Sequence, residues 1–187
     1  MGAISSVEDD IISQVKALLT TKVRAVESLP GDWDEDTLKR VLRAVPGVYV
    51  VFAGGNPVQA GGLTPQIQAS FVIYAVTGHA SGEAARRRGD SQQIGAYEIL
   101  ETLVPKLHGR VVPSIGTLIF AGMQNLFTGA LEKQGVAIYG ATFNMTMAWP
   151  ADLDLTTLAA FQTFDSIIDM APKNGQTDAE DTITLPQ

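Results

Sequence analysis

"QIQASFVIYAVT", residues 66–77, decides how the chain is read. Ile67, Ala69, Phe71, Ile73 and Ala75 recur at every second position, the period of a β-strand with one face in a core. Toward its end the other face also turns apolar, through Val72, Tyr74 and Val76, so part of this strand is expected to be covered on both sides. A second long alternation answers it. In "VAIYGATFNMTMAW", residues 136–149, Ala137, Tyr139, Ala141, Phe143, Met145, Met147 and Trp149 alternate with Gly140, Thr142, Asn144 and Thr146. That is a strand with one buried and one wetter face.

The flanks supply further strands and helices. "KVRAVESL" (22–29), "VYVVFAGG" (48–55) and "TLIFAGMQNLF" (117–127) read as strands, and "GNPVQAGGLTP" (55–65) as a Gly- and Pro-rich loop. Ile4, Val7, Ile11, Val15 and Leu18 recur at helical spacing, with Ser5 or Ser6 as candidate caps and Glu8, Asp9 and Asp10 in the first turns. A second helix carries Leu38, Val41, Leu42 and Val45 and ends at Pro46-Gly47. A third is expected from a cap at Asp90 or Ser91 to about Leu107, with Ile94, Tyr97, Leu100, Val104 and Leu107 on one side. After Pro150 a short helix and a strand are expected within "LDLTTLAAFQTFDSIIDM". The sum is an α+β fold: a mainly antiparallel β-sheet flanked by helices, one domain over 1–170, and an extended C-terminal arm over 171–187.

Bulk composition narrows the function classes. At 187 residues, with 45% apolar and 18% charged, most of the chain is expected to pack into one core. A net charge of -7 opposes broad attraction to DNA or to an anionic membrane, and no apolar run approaches the length of a membrane span. The absence of cysteine removes disulfides, thiolate nucleophiles and Cys-ligated metal together. The N-terminal "MGAISSVEDDIISQVKALL" lacks the basic and apolar regions of a signal peptide.

No catalytic, cofactor or metal pattern emerges. His79 and His108 stand apart from each other, in no HxH or HExxH pair. "GGNPVQAGG" lacks the Lys-Ser/Thr ending of a phosphate loop and precedes a strand instead of a helix. The acids of "DWDEDT" keep a D-x-D-x-D register, yet Thr37 and Arg43 occupy the places where a calcium loop needs Gly and Glu. They read better as acids at a helix N-terminus. Trp149 and Tyr139 are expected in the core, whereas Trp33, beside acids and a Pro-Gly turn, is a candidate interface anchor.

Three segments, "SLPGDWDEDTLKRVLRAVPGVYVVFAGG" (28–55), "NLFTGALEKQGVAIYGATFNMTMAW" (125–149) and "DAEDTITLPQ" (178–187), resemble in order and spacing the Mu-like phage and prophage family of tail terminator (tail completion) proteins, formerly a domain of unknown function. The resemblance runs over essentially the whole chain. It implies a non-enzymatic virion protein without cofactors. Such a protein forms a homo-hexameric ring that caps the tail tube, stops its polymerisation and offers the head-attachment surface. The implied partners are further copies of the chain, the major tail tube protein and head–tail connector or completion proteins. The implied place is the head-proximal end of the tail, after assembly in the host cytoplasm and without a membrane. A different head–tail connector or a tube-like subunit is the alternative, and an enzyme built from dispersed acids is the weakest option.

Two features fit a ring of identical subunits, which must join unlike patches head to tail. Ile183 and Leu185 form a small apolar cluster in the polar C-terminal segment, suited to adding a strand to a neighbour's sheet. Arg86, Arg87 and Arg88, in "GHASGEAARRRGD" (78–90), are consecutive in an acidic chain. They read as a solvated, flexible surface loop. Within a ring, the same loop could meet acidic patches on a neighbouring subunit, on the tube or on the head side or, in the lumen, touch passing DNA through its phosphates.

Overall fold

A computed structural model of the chain describes residues 2–30, 35–58, 64–126 and 135–148, together with the backbone of 163–168 and 179–184. It divides into two compact units, Met1–Ala151 and Asp152–Gln187. The first holds a five-stranded sheet made of β1 (Ala25–Ser28), β2 (Gly47–Val58), β3 (Gln66–Gly78), β6 (Ile119–Asn125) and β7 (Val136–Ala148), in the order β1-β2-β3-β7-β6, and a separate short pair, β4 (Val111–Val112) with β5 (Gly116–Thr117). Only β1 and β2 run parallel; the other neighbours are antiparallel. The expected mainly antiparallel α+β architecture is what the chain adopts.

β3 lies in the middle and pairs along its whole length, Gln66 with Ala148 at one end and Gly78 with Val136 at the other. Its alternating Ala69, Phe71, Ile73 and Ala75 are all buried. They face α1 (Ala3–Leu19) and α4 (Ala96–Leu107), which cover one side of the sheet with Val7, Ile11, Val15 and Leu19 from α1 and Ile99, Leu103 and Leu107 from α4. On the same face four phenylalanines stand in register across four strands: Phe52 opposite Phe71, Phe71 opposite Phe143, Phe143 opposite Phe120. The outer rings tilt onto the inner ones at 5.4 and 5.6 Å, in the edge-biased geometry that aromatic quadrupoles favour. The register shifts just after each outer member, between Phe52 and Gly54 and between Phe120 and Gly122. Each bulge reverses the alternation that follows it. Beyond its bulge β2 stays paired with β3, Gly55 with Ala69 through Val58 with Gln66, so "GNPV", a stretch expected to be a loop, is strand.

α2 (Glu35–Arg43) covers part of the other face, where Val41 meets Tyr49, Val51, Val76 and Ile138. The expected double covering of the end of β3 is therefore present at Val76. Farther along, this face carries Gln68, Ser70, Thr142, Asn144 and Thr146, with no ionic group among them, and Ser70 Oγ donates to Asn144 Oδ1 at 2.8 Å.

Helix starts differ from expectation in an instructive way. Gly2 is the N-cap of α1, and Ser6 lies inside the helix, donating from Oγ to the Gly2 carbonyl. The acids thus fall beyond the first turn and make tertiary bonds. Glu8 Oε1 accepts from the Phe52 amide and Ser28 Oγ, and Asp10 takes Arg110 in a two-pronged pair at 2.6 and 2.7 Å. The second unit contains an antiparallel pair, β8 (Thr163–Ile168) and β9 (Ala179–Thr184), matched from Thr163–Thr184 to Ile168–Ala179. The expected start of an arm at residue 171 falls outside the described residues.

Candidate assembly interface

The arginine run is helical. Glu83–Arg88 forms α3, between Gly82 at φ 105° and Gly89 at φ 73°. Glu, Ala and Arg are strong helix formers, and Glu at the start with Arg at the end complements the helix dipole. A single isolated turn and a half would not hold in water. Bonds to the end of β3 hold it here. Buried Thr77 donates from Oγ1 to the Arg86 carbonyl at 2.7 Å, and Arg86 Nε donates to the His79 carbonyl at 3.2 Å. Gln93 Nε2 donates to the Gly78 carbonyl. The expectation of a flexible loop is corrected: these bonds pin the segment to the central strand.

The three arginines then part company. Arg87 is mostly covered: its Nη2 donates to Glu83 Oε2 at 2.8 Å and its Nη1 to the Tyr97 hydroxyl at 3.1 Å. Its guanidinium also stands 5.8 Å from the Tyr97 ring centre, within cation–π range. Tyr97 in turn meets Tyr139 edge to face at 5.5 Å. The hydrogen bond from Tyr139, then that from Arg87, lowers the Tyr97 phenol below its ordinary value, while burial first and that same bond second push Tyr139 up to about 12. Arg87 is thus a brace between α3, α4 and β7. Arg86 spends its Nε on the β3 end. Arg88 alone is exposed, with no ion pair or side-chain hydrogen bond among the described residues.

The link from α3 to α4 is as tightly built. Asp90 Oδ1 accepts from the amides of Gln92 and Gln93 at 2.8 and 2.9 Å, and its Oδ2 meets His79 Nε2 at 2.9 Å. Those amides, followed by His79, hold its carboxyl below the usual carboxylate range. Asp90 therefore closes a turn instead of capping the helix; Gly95 occupies the N-cap. A Cβ at Gly95 would come within 2.2 Å of the Gly89 nitrogen, so the two backbones meet where no side chain fits.

Beside this link a polar cleft of about 420 Å³ is lined by Thr21, Lys22, Arg24, Pro46, Asp90 and Gln92, among others. Lys22 pairs with Glu98 at 2.8 Å and Asp90 with His79, which leaves exposed Arg24 as the cleft's cation without an ion pair among the described residues. On the other side of α4 an apolar groove of about 270 Å³ runs along Tyr97, Leu100, Val104, Pro105 and Met123. Met123 and Ile119 of β6 are about half exposed, and the outer edge of β6 has no strand partner among the described residues.

The other expected interface residues lie apart from α3. Trp33 and Leu185 are outside the described residues, as is Trp149. Ile183 sits in β9 opposite Phe164. Tyr139 is in the core as expected. His108 accepts the Phe120 amide on Nδ1, a strut between the end of α4 and β6. Among the described residues no three His, Asp or Glu gather into a metal site, and no helix is long and apolar enough to cross a membrane. The cation of the cleft was missed by sequence reasoning, because Arg24 gives no local signal; Pro46 and Gln92 meet it only through the fold.

Compared with known protein families, residues 3–148 match the model described as Bacteriophage Mu, Gp37. The chain belongs to that family. The match spans the whole five-stranded unit from α1 to the end of β7. Among curated relatives, the "Mu-like prophage FluMu protein gp37" of Haemophilus influenzae is 27% identical over 185 residues, which is 99% of this chain and 91% of the relative. The "Probable tail terminator protein" of Escherichia phage Mu is 23% identical over 159 residues, 85% of this chain and 82% of that one. Among solved structures, a chain from the "Virion of native gene transfer agent (GTA) particle" is 15% identical with a TM-score of 0.43, covering 79% of this chain and 92% of that one.

Proposed function

We propose that this member of the Mu Gp37 family is a tail terminator, a non-catalytic virion protein whose subunits close into a hexameric ring on the tail tube. The observation that carries the reading is the match to the phage Mu protein named a probable tail terminator, over 85% of the chain. The ring stops tube growth and presents the surface that the filled head joins. Its partners are further copies of itself, the tail tube protein and head-side connector proteins, and its place is the head-proximal end of the tail. The geometry supports such a role. A rigid sheet crossed by a row of phenylalanines gives a stiff subunit, and its margins offer an apolar groove, a cation-bearing cleft and a strand edge unpartnered among the described residues for contacts.

The test is loss of the gene in a producing prophage, with tails imaged by negative stain. Tubes of abnormal length and heads without tails are expected, restored by the wild-type gene. Normal tails in the knockout would sink the reading. Purified protein that grows into indefinite tubes would instead point to a tube subunit.

A further inference from the structure

The two units divide the charge unequally. Residues 1–151 hold 12 of the 13 Lys and Arg and 13 of the 20 Asp and Glu, a net of -1. Residues 152–187 hold one Lys and seven acids, a net of -6 on 36 residues. Nearly all of the chain's net negative charge therefore sits on the smaller unit. Its described structure is a two-stranded pair of six matched positions, an arrangement that is marginal in water without a surface to pack on. Asp165, Glu180 and Asp181 belong to this pair.

The larger unit has a counterpart. At the β2-start, β3-end margin of the sheet, Arg24 lies in the 420 Å³ cleft without an ion pair among the described residues. Arg88, likewise unpaired there and exposed, precedes the cleft residue Asp90 by two positions. The nearby acids are already engaged, Asp90 by His79 and Glu98 by Lys22. Thr77, Arg86 and Gln93 hold α3 and the link firmly, and the Arg24 amide donates to the Pro46 carbonyl at 2.7 Å, so each cation stands on a backbone held by hydrogen bonds.

From this complementarity we propose that the acidic C-terminal strand pair of one copy docks at the Arg24 cleft of the next copy, with Arg88 of α3 as a second cation. The inference rests on the ring reading and names a contact that closes it. Unlike patches meet, an acidic strand pair and a polar cleft whose acids are already engaged and whose Arg24 is not, as a head-to-tail ring requires. Charge of opposite sign also sets orientation and speeds encounter. Nucleic acid would be the rival occupant of two free arginines; the charge balance favours the acidic segment, which every neighbouring copy supplies at high local concentration.

The experiment uses the full-length protein, its R24E/R88E variant, its E180K/D181K variant and the variant carrying all four changes, with assembly followed by sedimentation and native mass measurement across a salt series. Circular dichroism melts check that each is folded; Arg24 and Arg88 are exposed, so no core is disturbed. Wild type should assemble less well as salt rises, each double variant should weaken assembly at least about tenfold, and the fourfold swap should recover most of that loss. Assembly of both double variants at wild-type strength overturns the docking and leaves the ring reading standing. A wild type that stays monomeric at every concentration and salt removes both. Normal assembly of R24E/R88E with loss of binding to duplex DNA overturns the proposal in favour of a phosphate contact.

Discussion

The two faces of the central sheet are built from the same three long strands, yet only one is a continuous core. On the α1–α4 side, β3 and β7 present Phe71, Ile73, Phe143 and Met145, each at most 1% exposed. On the α2 side, burial stops after Tyr49, Val51, Val76 and Ile138, and the same strands continue as Ser70, Asn144 and Thr146. The first face is stabilised by area removed from water, the second by a few satisfied polar groups. The contrast teaches where the subunit gets its stability and where it can accept change.

Removing a ring from the buried row tests the first face most severely. Phe143→Ala should cost about 3–5 kcal/mol in chemical unfolding, the usual range for a fully buried aromatic. A loss below about 1 kcal/mol would mean the four-strand row contributes little. The junction with α2 should show itself through pH. Burial first, then the Glu27 carboxylate, pushes the Tyr49 phenol from 10.0 up to about 12. With the folded value above the unfolded one, its contribution is complete below about pH 10 and lost as pH rises toward 12, a total of roughly 2–3 kcal/mol. Tyr49→Phe should flatten that alkaline decline; an unchanged pH profile would contradict it. The smallest effect belongs to the open face. Ser70→Ala removes one hydrogen bond to Asn144 in a partly wet setting and should cost about 1 kcal/mol or less. A loss as large as that of Phe143→Ala would erase the distinction between the faces.

Much of this architecture was legible in the chain. The alternations of 66–77 and 136–149 place β3, β7 and their buried faces, because a strand with one face in a core must write its period into the sequence. The stripe of α1 is equally clear, down to Val7, Ile11 and Val15. The errors cluster where local chemistry has two readings. Asp90 followed by Ser91 looks like a helix cap, but its carboxylate is satisfied by Gln92 and Gln93 in a turn. "GNPV" looks like a loop because of its Gly and Pro, yet it keeps its pairing with β3 past the bulge between Phe52 and Gly54. "EAARRR" held a helix signal in its composition and its Glu83–Arg87 spacing; the flanking glycines hid it. The candidate interface was legible only as residue types. Which of three consecutive arginines braces the fold and which stays exposed depends on Tyr97, the end of β3 and Glu83 meeting in space.

One consequence of the bond from Thr77 to the Arg86 carbonyl concerns mechanics. Arg88 is two residues from that carbonyl, and Thr77 belongs to the strand at the middle of the sheet. A tug on the exposed arginine is therefore delivered to the stiffest part of the subunit through one short, part-buried link. Thr77→Val would keep the shape and cut that coupling. A subunit so altered would be expected to fold and to assemble, and then to yield first when the joint is strained.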